Sequence, residues 1–190
     1  MVLMLWGKKK EEKKMKLQSI KVGIDLKIFK AEGIWTPTEK EREAAWELYV
    51  ELVTRISVVE LKDKEGILRE ALNSLYSIFS ITREILRKYG PDVAIPRGEN
   101  EYSFGKLAIM ILNYQLRPLL TKWHPLLQEY EAKRNPEVSI KEHEDKWERN
   151  AEMHSELNET RKVLIQYSNL LAKVANIEPL YAKKNRHGNK

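Results

Sequence analysis

At 190 residues and without a single cysteine, the chain is long enough for one domain with a real core, and it excludes disulfides, thiolate metal sites and cysteine nucleophiles. Its 34 basic and 28 acidic residues leave a net charge of +6, but residues 8–16 carry +4, residues 183–190 another +4, and the body about −2. The composition therefore excludes a folded body with overall cationic character. Nucleic acid, or an anionic membrane, is left to the two basic tails at 1–16 and 179–190, where binding would be weak and salt-dependent.

The apolar start Met1–Gly7 precedes Lys8–Lys10, the reverse of a secretory signal. No apolar run approaches the roughly 20 residues that span a bilayer. With the absent cysteines, this predicts a cytoplasmic protein. Residues 17–28 then alternate: Leu17, Ile20, Val22, Ile24, Leu26 and Ile28 are spaced by polar or small residues, the period of a strand. Lys30–Gly33 reads as a turn, with Ile34-Trp35 as a short return. A two-residue return satisfies few backbone groups. Ile20, Val22, Ile24, Leu26 and Ile28 are therefore predicted to pair across a subunit boundary, with a second copy or a partner's sheet edge.

Four long helices follow. Thr36 reads as the N-cap of the first, with Pro37 at its first position and Glu39 closing a capping box. It runs to about Leu61, with an apolar arc from Ala45 and Trp46 to Val59 that covers more than half its circumference. The second ends at Tyr89 before Gly90-Pro91. The third spans Tyr102 to Ala132 through Pro118 and Pro125, which free the carbonyls of Tyr114 and Thr121 and predict a bend. The fourth spans Ser139 to Ala175. The fold class is mainly α: an antiparallel four-helix bundle at 36–178, with a β-strand or hairpin at 17–35.

A polar seam is the candidate site. Asn113, Arg117, His124 and Glu131 fall within about 40° of each other on the third helix. His143, Trp147 and His154 lie on or beside a matching stripe of the fourth, so antiparallel pairing brings Trp123, His124, His143 and Trp147 to one level. These residues could form a small ligand site, with arginine for an anion and tryptophans as walls. Equally, Arg117 or His124 could bond the carbonyls released by the prolines. Glu142-His143-Glu144 reads as a solvated first turn. No metal site or cofactor is predicted, because no histidine stands in Glu-x-x-His and His-Glu-x-x-His is absent. No catalytic residue is predicted either, since phosphate loops, Gly-x-Ser-x-Gly and triads are missing.

Trp35-Thr-Pro37, the run Ala44–Ile56 (AAWELYVELVTRI), Leu68–Leu72, Thr82–Leu86, Leu116-Arg-Pro118 and Lys122-Trp-His-Pro125 resemble an uncharacterised family of bacterial helical-bundle proteins. The resemblance covers most of the chain and implies a place in conflict or defence loci. It carries no activity or catalytic residue to any position. The function expected is a non-enzymatic interaction module that assembles with itself or a partner subunit. The alternatives are a nucleic-acid accessory acting through its tails, and a small-ligand sensor or enzyme using Asn113, Arg117 and His124.

Overall fold

A computed structural model describes residues 18–55 and 65–181. Residues 1–17, 56–64 and 182–190 lie outside the described residues, and with them Leu17, the basic N-terminal tail, all but the start of the C-terminal one, and the stretch 56–61 that the sequence reading assigns to the end of the first helix. The chain is mainly helical with an N-terminal antiparallel hairpin, and no helix among the described residues is long and apolar enough to cross a membrane.

The hairpin joins β1 (Ile20–Asp25) to β2 (Lys30–Trp35), in register from Ile20 opposite Trp35 to Asp25 opposite Lys30. The alternation of β1 works as read: Val22, Ile24 and Leu26 are buried, Ile20 is half-buried, and Ala31 and Trp35 cover the same face from β2. Two expectations are corrected. First, the turn is Leu26–Phe29, closed by the Leu26 N–H on the Phe29 carbonyl (2.9 Å), while Lys30–Gly33 is strand. Gly33 serves close approach rather than a turn: a Cβ there would lie 2.1 Å from the Asn100 carbonyl oxygen. On that edge the Ile34 N–H donates to the Asn100 carbonyl (2.9 Å), and the Tyr102 N–H donates to the Ile34 carbonyl (2.8 Å).

Second, the return strand is six residues long rather than two, so β1 has a full backbone partner along one edge within the same chain. Further bonds hold it: the Asp25 N–H donates to Gln166 Oε1 and the Lys27 N–H to Gln115 Oε1. Of the apolar set, only Ile28, at the hairpin tip, is largely exposed.

Helix α1 spans Glu39–Val53, two residues later than Thr36 and Glu39 predict. Thr38 is the N-cap and Glu41 the reciprocal partner, its carboxylate accepting the Thr38 N–H at 2.8 Å. The shift follows from what else Glu41 does. It is fully buried, and it also accepts the Trp35 indole N–H (3.1 Å), the Phe104 N–H (3.0 Å) and Arg97 (2.6 Å). Thr36 and Glu39 offer no such register.

Helix α2 (Leu68–Tyr89) stops at Gly90, whose φ of +69° suits glycine. The long third helix is in fact three pieces: α3 (Phe104–Met110), a π-helical segment (Ile111–Leu116), and α4 (Arg117–Glu131). The fourth is interrupted as well, into α5 (Ile140–Asp145) and α6 (Asn150–Val174). Across the break the Trp147 N–H bonds Glu144 and the Asn150 N–H bonds Trp147, each three residues back. This tight winding turns both Glu144 and Trp147 inward, which one continuous helix would not do. Helix α6 ends in a Schellman motif with Asn176 at φ 59°, and Arg42 of α1 donates to the Val174 carbonyl. Helix α1 packs on α2 and α6, α2 on α4, and β1 on α6, around one core.

Removing Glu41 leaves Arg97 and several buried N–H groups without an acceptor. Glu41→Ala should lose about 3–5 kcal/mol in urea denaturation. Glu39→Ala, an exposed first-turn change, should stay within about 0.5 kcal/mol. Equal losses would restore the Thr36–Glu39 cap.

Candidate functional site

The two prolines are accommodated differently. The Arg117 N–H bonds the Leu112 carbonyl, five residues back, so the wide π register ends just before Pro118, which stands in the first turn of α4. A helix that has already left the i→i−4 ladder loses less to a missing N–H. Pro125 lies inside α4. The π segment also brings in Gln115, which the sequence reading missed. Gln115 is buried; its Oε1 takes the Lys27 N–H (3.1 Å) and its Nε2 donates to Thr160 Oγ1 (3.0 Å). One amide thus ties the hairpin turn, the π segment and α6. Only its place on the inner stripe of a proline-bearing helix hinted at this.

The predicted seam divides. Trp123, His143 and Trp147 do come together, through Tyr130. The His143 ring stacks on Tyr130 (4.2 Å), Tyr130 on Trp147 (5.3 Å), and Trp147 meets Trp123 edge to face (5.8 Å). The bonds between Tyr130 and His143 are reciprocal: the Tyr130 hydroxyl donates to the His143 carbonyl, and His143 Nε2 donates to the Tyr130 carbonyl, both at 2.9 Å. The i, i+7 spacing of Trp123 and Tyr130 carried this signal. Lys122 and Arg149 lie over the Trp123 ring at 4.4 and 4.9 Å, and its indole N–H reaches Glu156. Arg149 and Lys122 hold the Glu152 carboxyl down at about 2. Burial works against ionising Glu156, but Lys122 and Trp123 outweigh it and keep the carboxyl below its ordinary range. Trp123 and Trp147 are both buried, so the stack fastens α5 and α6 to α4.

His124 lies elsewhere. Its Nδ1 is 3.1 Å from Arg69 Nη1, and Tyr76 meets its ring edge to face. An arginine only donates, so Nδ1 accepts and the proton sits on Nε2. Burial and then the Arg69 charge push the His124 pKa down, against Glu131, which keeps the ring neutral at pH 7. Arg69 binds the Glu131 carboxylate as well. Arg117 caps no freed carbonyl: it is exposed and donates to Asn113 Oδ1. His154 is buried on α6.

Glu144 corrects the solvated-turn reading. It is buried, and its carboxylate accepts the N–H groups of Leu68 (2.7 Å) and Arg69 (3.2 Å) at the start of α2, where the N-cap Ile67 has no side-chain bond to offer. Burial raises the Glu144 pKa despite those two N–H groups, and Glu131 adds repulsion.

A further feature is a groove of about 530 Å³ between α1 and α2. Trp46 and Val50 enter it from α1, Ile81 and Ile85 from α2. Glu47, Glu51 and Glu84 rim it, with Lys88. Trp46 is 48% exposed, whereas Trp35, Trp123 and Trp147 are buried. Among the described residues no three His, Asp or Glu side chains are grouped to hold a metal ion. No protein-family model, no curated protein and no solved structure matches the chain.

Because the folded pKa of Glu144 exceeds its ordinary value of 4.5, the folded state holds the proton longer than the unfolded one. Stability attributable to this group is therefore full below that ordinary value and falls as pH rises through the raised one. Glu144→Gln should flatten that part of the stability–pH curve, measured by urea denaturation from the acid side to neutrality. An unchanged slope would place the carboxylate in water.

Proposed function

We propose that the chain is a non-enzymatic protein-interaction module, an antiparallel four-helix bundle of α1, α2, the broken α3–α4 helix and α6. Its α1–α2 groove receives an amphipathic helix of a protein partner. The observation that carries this reading is Trp46. The apolar arc of α1 is wider than the described residues cover: Ala44, Ala45, Leu48, Tyr49 and Leu52 are buried, while Val50 is half-buried and Trp46 stands out, stacked on Tyr49 at 6.0 Å. An exposed tryptophan between two helices, above half-buried aliphatic side chains, suits helix-in-groove recognition, in which large aromatics supply most of the energy.

The rim states the partner's charge. Glu47, Glu51 and Glu84 face Lys88 as the one lining base. Lys88 and the Tyr89 hydroxyl both engage Glu47; burial opposes its ionisation, yet those bonds hold its carboxyl below the usual range. A helix with an apolar seam and basic flanks meets such a groove. The family resemblance suggests a bacterial defence system as the setting.

A model helix of leucine and lysine, titrated against the full chain, should bind, and Trp46→Glu should weaken it by about tenfold or more. The melting temperature should not fall, because Trp46 is not part of the core. Equal affinity for both chains overturns the reading. So does concentration-dependent self-association that Trp46→Glu abolishes, which would assign the groove to a second copy.

A further inference from the structure

The other flank of α2 faces a second cleft, of about 350 Å³, shared with α4. Arg83, Arg117 and His124 line it together with Phe79, Leu120 and Pro125, and no carboxylate does. Most of the cations elsewhere on this surface have an acidic partner, as in Lys40–Asp92, Lys122–Glu152 and Lys162–Glu159. Two guanidinium groups over an apolar floor without a counter-charge are a different arrangement.

Arg117 is held in place. Its Nε and Nη2 both donate to Asn113 Oδ1, at 3.1 and 3.0 Å, and its guanidinium carbon lies 5.5 Å from the centre of the Phe79 ring. Asn113 carries no charge, so it orients the guanidinium without neutralising it. The Nη1 group, which Asn113 does not use, retains its donors. Phe79 and Leu120 are largely buried and form the floor. His124 contributes a neutral ring whose Nε2 has no hydrogen-bond partner. The volume falls at the lower end of the roughly 300–1,000 Å³ that small-molecule sites occupy, which suits a ligand of about one ring.

We propose that this cleft binds a small organic anion, a carboxylate or phosphate carried on an apolar or aromatic body. Its oxygens meet Arg83 and Arg117, and its body lies over Phe79 and Leu120. A planar guanidinium offers paired N–H groups to either kind of anion. Asn113 is a positioning residue, acting through Arg117. The site is independent of the α1–α2 groove.

Isothermal titration of the full chain at low salt, with phenyl phosphate and with phenylacetate, tests this. At least one should bind saturably at concentrations below about 10 mM. Whichever binds names the anion. Arg83→Gln and Arg117→Gln should each weaken it about tenfold, and Asn113→Ala should weaken it less, with the melting temperature of the unliganded chain unchanged. Absence of saturable binding by both compounds overturns the proposal. So does binding that neither arginine substitution alters. Inorganic phosphate binding as tightly as phenyl phosphate would refute the apolar half of the site.

Discussion

A fully buried carboxylate, that of Glu41, joins the parts of this molecule that are far apart in sequence. It accepts from the Trp35 indole on β2, from the Thr38 backbone at the start of α1, from Arg97 in the segment that joins α2 to α3, and from the Phe104 backbone at the start of α3. A lone buried carboxylate would be strongly unfavourable; this one has an ionic partner and donors for both oxygens. The same atoms thus cap one helix, begin another and anchor the hairpin. The hairpin alone would be marginal in water. It persists because Trp35 is locked below, the loop at 100–102 pairs with its edge, and Gln115 and Gln166 bond its far end.

The other constraint lies at Pro118. A π segment ends just before it and separates α3 from α4, and this wide segment turns Gln115 into the core. The interruption between α5 and α6 acts in the same way, sending Glu144 to the bare start of α2. In both cases irregular winding lets a polar side chain complete a bond that a regular helix could not reach. Of the predicted seam, the aromatic residues go to packing, while Asn113 and Arg117 bond each other at the surface.

Two of the uncovered features lie along α2. On one flank stands Trp46 with its acidic rim; on the other stand Arg83 and Arg117 without acids. A helix that offers opposite charge on its two flanks has two kinds of partner chemistry open to it. Anything binding on one flank bears on a helix whose start is fixed by Glu144 and whose end is fixed by Gly90.

The sequence by itself determined the local, periodic features. The alternation of β1, the stop at Gly90 and the apolar stripes of the helices follow from local spacing and from glycine's backbone freedom, which need no partner to be read; the meeting of Trp123 with Trp147 required in addition that their two helices pair antiparallel. Only the tertiary structure decided between equivalent local options. Thr36 with Glu39 and Thr38 with Glu41 are equally good capping boxes as text; Trp35, Arg97 and Phe104 select the second. Lys30–Gly33 is as good a turn as Leu26–Phe29 until Asn100 claims the space beside Gly33. Likewise, the wide arc of α1 cannot say which of its apolar residues stay uncovered, since that depends on where α2 and α6 end their contact. Trp46 and the arginine cleft are gaps between elements, and a gap has no signature in the order of residues along any one of them.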